Sequence, residues 1–275
     1  GRMKVEMIND CSHVGETLIK YLPASVQAEH LKRTRGLWDK TFGITLKILK
    51  SHDVDIYHVH YALQDAFLTQ LFKRLDVLHC HGSDVRWEID GKWGWMIKSN
   101  LKKARKVLVS TPDILDKALQ FNETAEYLPN PIDTSFFKPL PKLEEDKLKA
   151  VYFSLRYEKL PLELVFILYN AGIDLKKVHG KPFQYKEMPS ILASYDIFID
   201  RFTIDSLSKT CLEAMSCGLS TITYKDKDDF QTRVNNLLVD KRRRREGEEN
   251  RAFILENHEG ANVAGKLFEI YEGLM

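Results

Sequence analysis

The segment from Thr203 to Tyr224, TIDSLSKTCLEAMSCGLSTITY, sets two carboxylates, Asp205 and Glu213, around a run of small and apolar residues. Ser206 or Ser208 can accept from free backbone N–H groups and so start a helix, and Gly218 can end it in a left-handed conformation. The β-branched run from Ser220 to Tyr224 then suits a strand. At about 100° per residue, Leu207, Cys211, Ala214, Met215 and Gly218 gather on one side of the helix, with Glu213 nearly opposite. Two readings fit. Glu213 is a solvated acid on an amphipathic helix, or the helix N-terminus faces an anionic ligand that the two acids bracket.

His58 and His60, in HVH, and His79 and His81, in HCH, form two further pairs. Residues two apart on a strand share a face, so each pair could offer imidazoles to zinc. Alternatively, they are strand-end residues that hold backbone groups or ligand hydroxyls. No other ligand cluster has recognisable spacing, so no metal and no cofactor is expected. A dinucleotide oxidoreductase would show G-x-G-x-x-G after the first strand, where this chain has a single Gly15, and no P-loop lysine is present.

These residues need elements to position them. Short apolar segments, Lys4–Ile8, Asp55–Tyr61, Asp76–Gly82 and Lys106–Pro112, alternate with helical stretches such as GITLKILKSH and DAFLTQLFKRL. That alternation predicts a parallel sheet with both faces covered. A segment dense in Pro and charge follows, from Pro129 to Lys149, and the alternation then restarts with KAVYFSL, LPLELVFILYNAG, EMPSILASY and DIFIDRF. The units on either side are too few for a (β/α) barrel. The fold class is therefore α/β, with two Rossmann-like domains. The expected boundaries are residues 3–138, a linker at 139–148, a second domain at 149–258 and a terminal helix at 259–275 that packs back toward the first domain. The charge run from Asp240 to Arg251 is expected as a solvated loop or frayed helix end. Gly1 and Arg2, ahead of Met3, read as an expression remnant.

The 275 residues, 44% hydrophobic and 11% aromatic, are enough for real cores and exclude wholesale disorder. The 41 basic and 39 acidic residues nearly cancel, and no nucleic-acid partner is expected. Four scattered cysteines, no signal peptide before the first apolar run and no membrane-length apolar run lead to the expectation of a cytoplasmic protein.

The segments DIYHVH, HGSDVR, KVLVSTPDIL, LPNPIDTSFFKP and LEAMSCGLSTI occur in this order over most of the chain. Together they resemble the GT-B retaining glycosyltransferases of glycosyltransferase family 4. LPNPIDTSFFKP resembles that family's interdomain signature and LEAMSCGLSTI its E-x7-E helix. The resemblance implies two Rossmann-like domains facing each other across a cleft, both smaller here than the family norm. It also implies transfer of a sugar from a nucleoside-diphosphate sugar to an acceptor hydroxyl. In that scheme Glu213 holds the donor ribose, Asp205 contacts the transferred sugar, and backbone near Leu207 and Ser208 faces the diphosphate. His81 stands beside the donor sugar, and Gly15 marks the loop where backbone approaches phosphate.

Two departures stand out. Asp205 replaces the family's usual Glu, and SLRYEKL offers Arg156 and Lys159 closer together than the family's Arg and Lys, as candidates to neutralise the leaving diphosphate. A non-catalytic or regulatory sugar-nucleotide-binding relative is the alternative these departures leave open. The resemblance implies a front-face, metal-independent reaction, with a glycan, a lipid-linked compound or a small molecule as acceptor. Two basic segments with aromatics, His30–Lys50 and Arg86–Lys106, fit either peripheral contact with an anionic membrane or core and acceptor-site roles for Trp87, Trp93 and Trp95.

Overall fold

A computed structural model describes residues 1–33, 43–142, 146–154 and 158–275. The chain divides into two compact units, residues 1–131 with 260–275, and residues 132–259. The division falls after Pro131, so residues 132–138 belong with the second unit and the terminal helix with the first.

The first unit contains β1 (Met3–Ile8), α1 (Val14–Tyr21), β2 (Val26–Leu31), α2 (Ile44–Lys50), β3 (Ile56–His60) and α3 (Gln64–Phe72). It continues with β4 (Val77–Cys80), α4 (Ser83–Arg86), α5 (Gly94–Lys103), β5 (Lys106–Val109), α6 (Leu115–Leu119) and β6 (Glu126–Tyr127). The six strands form one parallel sheet in the order β2-β1-β3-β4-β5-β6. Every residue of β3 and β4 is buried, as expected of parallel strands covered on both faces. Ile8, Val59, Leu78, Val107 and Val109 pack on one face with Ile44, Ile48, Ala66, Ile97 and Leu101 of α2, α3 and α5. On the other face Val5, Met7, Ile56, Val77 and Leu108 meet Val14 and Leu18 of α1.

The second unit contains β7 (Lys149–Ser154), α7 (Leu162–Asn170), β8 (Asp174–His179), α8 (Met188–Ala193), β9 (Ile197–Ile199), α9 (Lys209–Ser216), β10 (Ser220–Ile222), α10 (Phe230–Leu238) and α11 (Asp240–Asn257). Its four parallel strands run β10-β9-β7-β8. One face carries Leu164, Leu168, Phe230, Val234 and Leu237 from α7 and α10. The other packs Val151, Phe198, Leu192, Cys211, Met215 and Ile254, from the sheet and α8, α9 and α11. The last helix, α12 (Gly260–Leu274), returns to the first unit, where Val263, Leu267 and Tyr271 complete the face already occupied by α1.

The charge run departs from its sequence reading. Asp240 to Arg251 is not a loop but the body of the 18-residue α11. Asp240 pairs with Arg243 (2.5 Å) and Arg244 (2.8 Å), and Arg245 with Glu249 (2.8 Å), all at helical spacing. Gly247 lets α11 cross close to Gly218, since a Cβ there would stand 2.1 Å from the Gly218 carbonyl oxygen. Arg251 donates to the backbone oxygens of Phe137 (3.0 Å) and Ser216 (2.6 Å). A hydropathy pattern reads only charge here, but the helix is held by the Gly247 contact, by Arg251, by Glu246 accepting from the Thr221 N–H (3.1 Å) and by Asn250 donating to the Leu219 oxygen (2.9 Å).

Candidate functional site

In an open parallel sheet, ligands bind beyond the carboxyl ends of the strands where the strand order reverses. In the second unit that point lies between β7 and β9. Asp200, just after β9, is buried and accepts from the Ser208 backbone N–H (3.0 Å). Glu158 is buried as well and accepts from the N–H groups of Phe202 and Thr203 (3.3 Å), while Arg201 donates to the Ser206 hydroxyl (2.9 Å). Two acids and an arginine thus pin the loop that delivers the chain to α9. Ser208 caps that helix, its Oγ accepting from Cys211 N–H (3.1 Å). Of the two serines the sequence offered as caps, Ser208 is the one used; Ser206 is buried against Arg201.

The first-turn N–H groups of Lys209 and Thr210 have no intrahelical partner, and with the helix dipole they make an anion-favouring end. Lys209 adds a charge to it: its ammonium lies 2.8 Å from the Glu213 carboxylate and 3.3 Å from the Tyr185 hydroxyl. The expected amphipathic α9 is corrected here. Residues Cys211 to Ser216 are all buried, Glu213 among them, so no face of the helix is solvated over that stretch. Gly218 does end the helix at φ +82°, as the sequence suggested.

Asp205 lies on the exposed part of the loop, 71% accessible, with Lys227 at 3.6 Å. Leu207 is partly buried against the core, and Lys159 is exposed. Arg156 lies outside the described residues. Burial pushes the thiol of Cys217 up to about 12, and those of Cys80 and Cys211 well above the ordinary range, so none of the three is a ready nucleophile.

The first unit's order reverses between β1 and β3. Asn9, Ser12 and His13 after β1, and Tyr61 after β3, all have positive φ without being glycine, at 65°, 51°, 63° and 76°. Strained backbone of this kind concentrates at functional sites. Asp10 accepts from the N–H groups of Gly15 (2.7 Å) and Glu16 (3.1 Å), so a protein carboxylate already serves the start of α1. Gly15 packs directly on a histidine: a Cβ there would lie 3.1 Å from His60 Nε2.

That histidine belongs to a cluster. His58 and His60 of β3, His79 of β4 and His81 just beyond it stack along one sheet face, with neighbouring ring centroids 4.5 to 5.3 Å apart. Tyr271 closes the lower end, its hydroxyl 2.6 Å from His58 Nδ1. Burial holds His58 and His60 well below the ordinary histidine range and His79 down to about 3, so these rings are neutral at pH 7. Beside His81, Asp84 accepts from the N–H groups of Ala62 (3.1 Å), Gly82 (3.0 Å) and Val85 (3.0 Å), and burial raises its carboxyl nonetheless.

Among the described residues, ring nitrogens of His58, His60 and His79 come within 4.8 Å of one another, the spacing that prompts a metal reading. The geometry suits one poorly. Both nitrogens of His58 already face protein partners, and the rings of His60 lie within 22° and 28° of the planes of His58 and His79. Lone pairs lie in the ring planes, so stacked rings do not converge on one ion.

The structure places Ser208, Leu207 and Glu213 in and just before α9 of the second unit, and His81 and Gly15 both beside His60 in the first. Sequence reasoning overlooked Lys209, Glu158, Asp200 and the role of Tyr271. Only Lys209 carried a signal, its spacing of four from Glu213. No family model matches this sequence, and no curated protein matches it significantly.

Solved structures do match. Anabaena HepE in complex with UDP-glucose superposes with a TM-score of 0.67 at 12% identity, over 99% of this chain and 100% of that one. Sucrose-phosphate synthase from Thermosynechococcus elongatus gives 0.65 at 12% identity, over 99% of both. The fold is GT-B. A UDP-N-acetylglucosamine 2-epimerase assignment is carried by another such neighbour, from Listeria monocytogenes, at TM-score 0.63 and 11% identity over 98% of this chain and 95% of that one. At such identities the GT-B likeness concerns the fold; chemistry has to be argued from the residues.

Proposed function

We propose that this GT-B chain is a retaining glycosyltransferase that moves a sugar, of hexosyl type, from a nucleoside-diphosphate sugar to an acceptor hydroxyl. The observation that carries the reading is the buried Lys209–Glu213 pair at the Ser208-capped start of α9. A diphosphate belongs at that helix end, where N–H groups and an ammonium meet its charge. Glu213 then exchanges Lys209 for the two ribose hydroxyls, and Lys209 turns to the phosphates. Backbone at Leu207 and Ser208 lines the same approach. Asp205 and His81 are assigned to the transferred sugar, and Arg156 and Lys159 to the leaving group. Gly15 is assigned the close backbone approach.

In the reaction, the bond from the anomeric carbon to the diphosphate oxygen breaks, and the acceptor oxygen bonds to that carbon on the same face. The acceptor proton passes to the departing phosphate. Stabilising that departing charge is the main catalytic task, and this reading gives it to cationic side chains and N–H groups without a metal. HepE's complex with UDP-glucose and the Listeria neighbour's name make a uridine nucleotide the first candidate.

The acceptor is a glycan, a lipid-linked compound or a small molecule, and the setting is cytoplasmic. No described helix is long and apolar enough to cross a membrane. Trp87, Trp93 and Trp95 are 52%, 47% and 55% exposed near the lysines of α5, which supports contact with an anionic bilayer surface.

A thermal-shift screen against UDP-glucose, GDP-mannose and ADP-glucose, with and without EDTA, tests the reading. A ligand that binds only the folded state raises the melting temperature. Stabilisation by one nucleotide series that survives EDTA supports it; no shift with any nucleotide sinks it. The exposure of the short Asp205 side chain favours one rival, a regulatory relative that binds the nucleotide sugar without turning it over. Binding with no product in the presence of varied acceptors would support that rival.

A further inference from the structure

We propose that His60, His81 and Ser110 form one hydrogen-bond chain of a single direction, which fixes His81 as its Nδ1–H tautomer and makes His60 its positioning residue. The importance of His81 rests on the transferase reading above; the chain itself does not.

The assignment follows from counting protons. The Ser110 hydroxyl donates to the Cys80 carbonyl (3.2 Å), so its oxygen is left to accept from His81 Nδ1 (3.4 Å). A neutral His81 that carries its proton on Nδ1 has a bare Nε2. That atom lies 2.8 Å from His60 Nδ1, which must then be the donor. His60 Nε2 is consequently bare as well. It is fully buried and has no hydrogen-bond partner, a tolerable state for a lone pair and a costly one for an N–H.

Along the same face the Tyr271 hydroxyl lies 2.6 Å from His58 Nδ1, and His58 Nε2 lies 3.1 Å from His79 Nδ1, contacts that either direction of donation satisfies. His79 Nε2 is the second buried nitrogen without a partner. His79 and His60 stack with their planes 28° apart, and neither Nε2 has a hydrogen-bond partner, so the Tyr271–His58–His79 contacts stand apart from the chain that holds His81. Gly15 lets α1 approach His60 closely.

Nitrogen-15 NMR of the imidazoles in the wild-type protein reads the tautomers directly, without turnover or a known substrate. The expected result is Nδ1–H for His60 and His81. Nε2–H at His60 and His81 overturns the proposal. So does stoichiometric uptake of Zn²⁺ or Co²⁺ that shifts the same resonances, since a metal would take the lone pairs that the chain uses. Variants give a second arm. His60→Asn keeps a donor near the Nδ1 position and should leave His81 as the Nδ1–H form. His60→Gln moves its amide to the Nε2 position and should release His81 to a mixture of tautomers. Equal behaviour of the two variants overturns the positioning role. Nucleotide binding measured on the same samples separates the two readings: intact tautomers with no UDP-glucose binding leave the chain standing and remove the transferase assignment.

Discussion

Lys209 holds its ammonium 2.8 Å from the Glu213 carboxylate one turn further along α9, with 8% and 5% of the two side chains open to solvent. A pair this dry is sensitive to the loss of one member, because the other becomes an uncompensated buried charge. Glu213→Ala is therefore expected to destabilise the protein by about 3–5 kcal/mol in urea denaturation. Lys209→Met combined with Glu213→Leu should recover most of that loss while still failing to bind a nucleotide sugar. Full stability in Glu213→Ala would mean the pair is not held as described.

His81 and Glu213 are assigned different tasks, and calorimetry with UDP-glucose separates them. Glu213→Gln should weaken nucleotide binding by about ten- to a hundredfold, the worth of a charge-assisted hydrogen bond or two. His81→Ala should bind the donor within a few-fold of wild type and lower the transfer rate. Equal losses in both steps, or in neither, would mean the roles are wrongly divided.

The buried histidines predict an acid-sensitive fold. His58, His60 and His79 stay neutral in the folded protein, whereas in the unfolded chain they protonate near pH 6.5. The unfolded state then binds more protons, so their stabilising contribution is complete above pH 6.5 and is lost as pH falls from there toward about 3 for His79. Each such ring contributes a slope of about 1.4 kcal/mol per pH unit within that window. Burial raises the carboxyls of Glu6, Asp84 and Asp226, whose contributions run the opposite way and are lost as pH rises. Urea midpoints at pH 7, 6 and 5 should decline, and less steeply in His60→Asn. A flat profile would contradict neutral buried rings.

Two glycines give a matched comparison. A Cβ on Gly15 would stand 3.1 Å from His60 Nε2 and 3.2 Å from both Asp10 Cγ and His30 Cε1, whereas nothing lies within 4 Å of one on Gly265 in α12. Gly15→Ala is expected to cost about 1–3 kcal/mol through overpacking. Gly265→Ala should add about 0.5–1 kcal/mol by helix propensity. Melting temperatures that move in the same direction for both would refute the packing argument.

Membrane contact is checked by co-sedimentation with phosphatidylserine vesicles at low salt. Wild type should pellet, and Trp93→Ala with Trp95→Ala should reduce the bound fraction several-fold. Absence of wild-type binding at low salt ends the idea.

The central strands were legible in the sequence because parallel strands buried on both faces read as apolar runs, as in IYHVH and VLHC. Two edge strands were not. β2, VQAEHL, and β8, DLKKVH, alternate charge with apolar residues and lie where one side of the strand needs no partner. The start of α9 was legible through its Ser and Gly signals, which act locally. The burial of Glu213 was not, because it depends on Tyr185, Phe136 and Phe137, which pack together near the helix from distant parts of the chain. The paired spacing in HVH and HCH announced a shared face. Its meaning hung on Tyr271, more than two hundred residues from His58.

That separation also bears on how the protein is made. One face of the first unit's sheet is covered only in part, by α1, until α12 arrives, and α12 is synthesised after the whole second unit. On a ribosome the second unit can fold first, while Met7, Leu18, Ile56 and Leu108 of the earlier-made unit wait for Val263, Leu267 and Tyr271. Arg105 donates to the Leu274 backbone oxygen at 2.7 Å, so even the final turn has a partner waiting. The nascent chain therefore carries an unfinished apolar surface for as long as the second unit takes to be made.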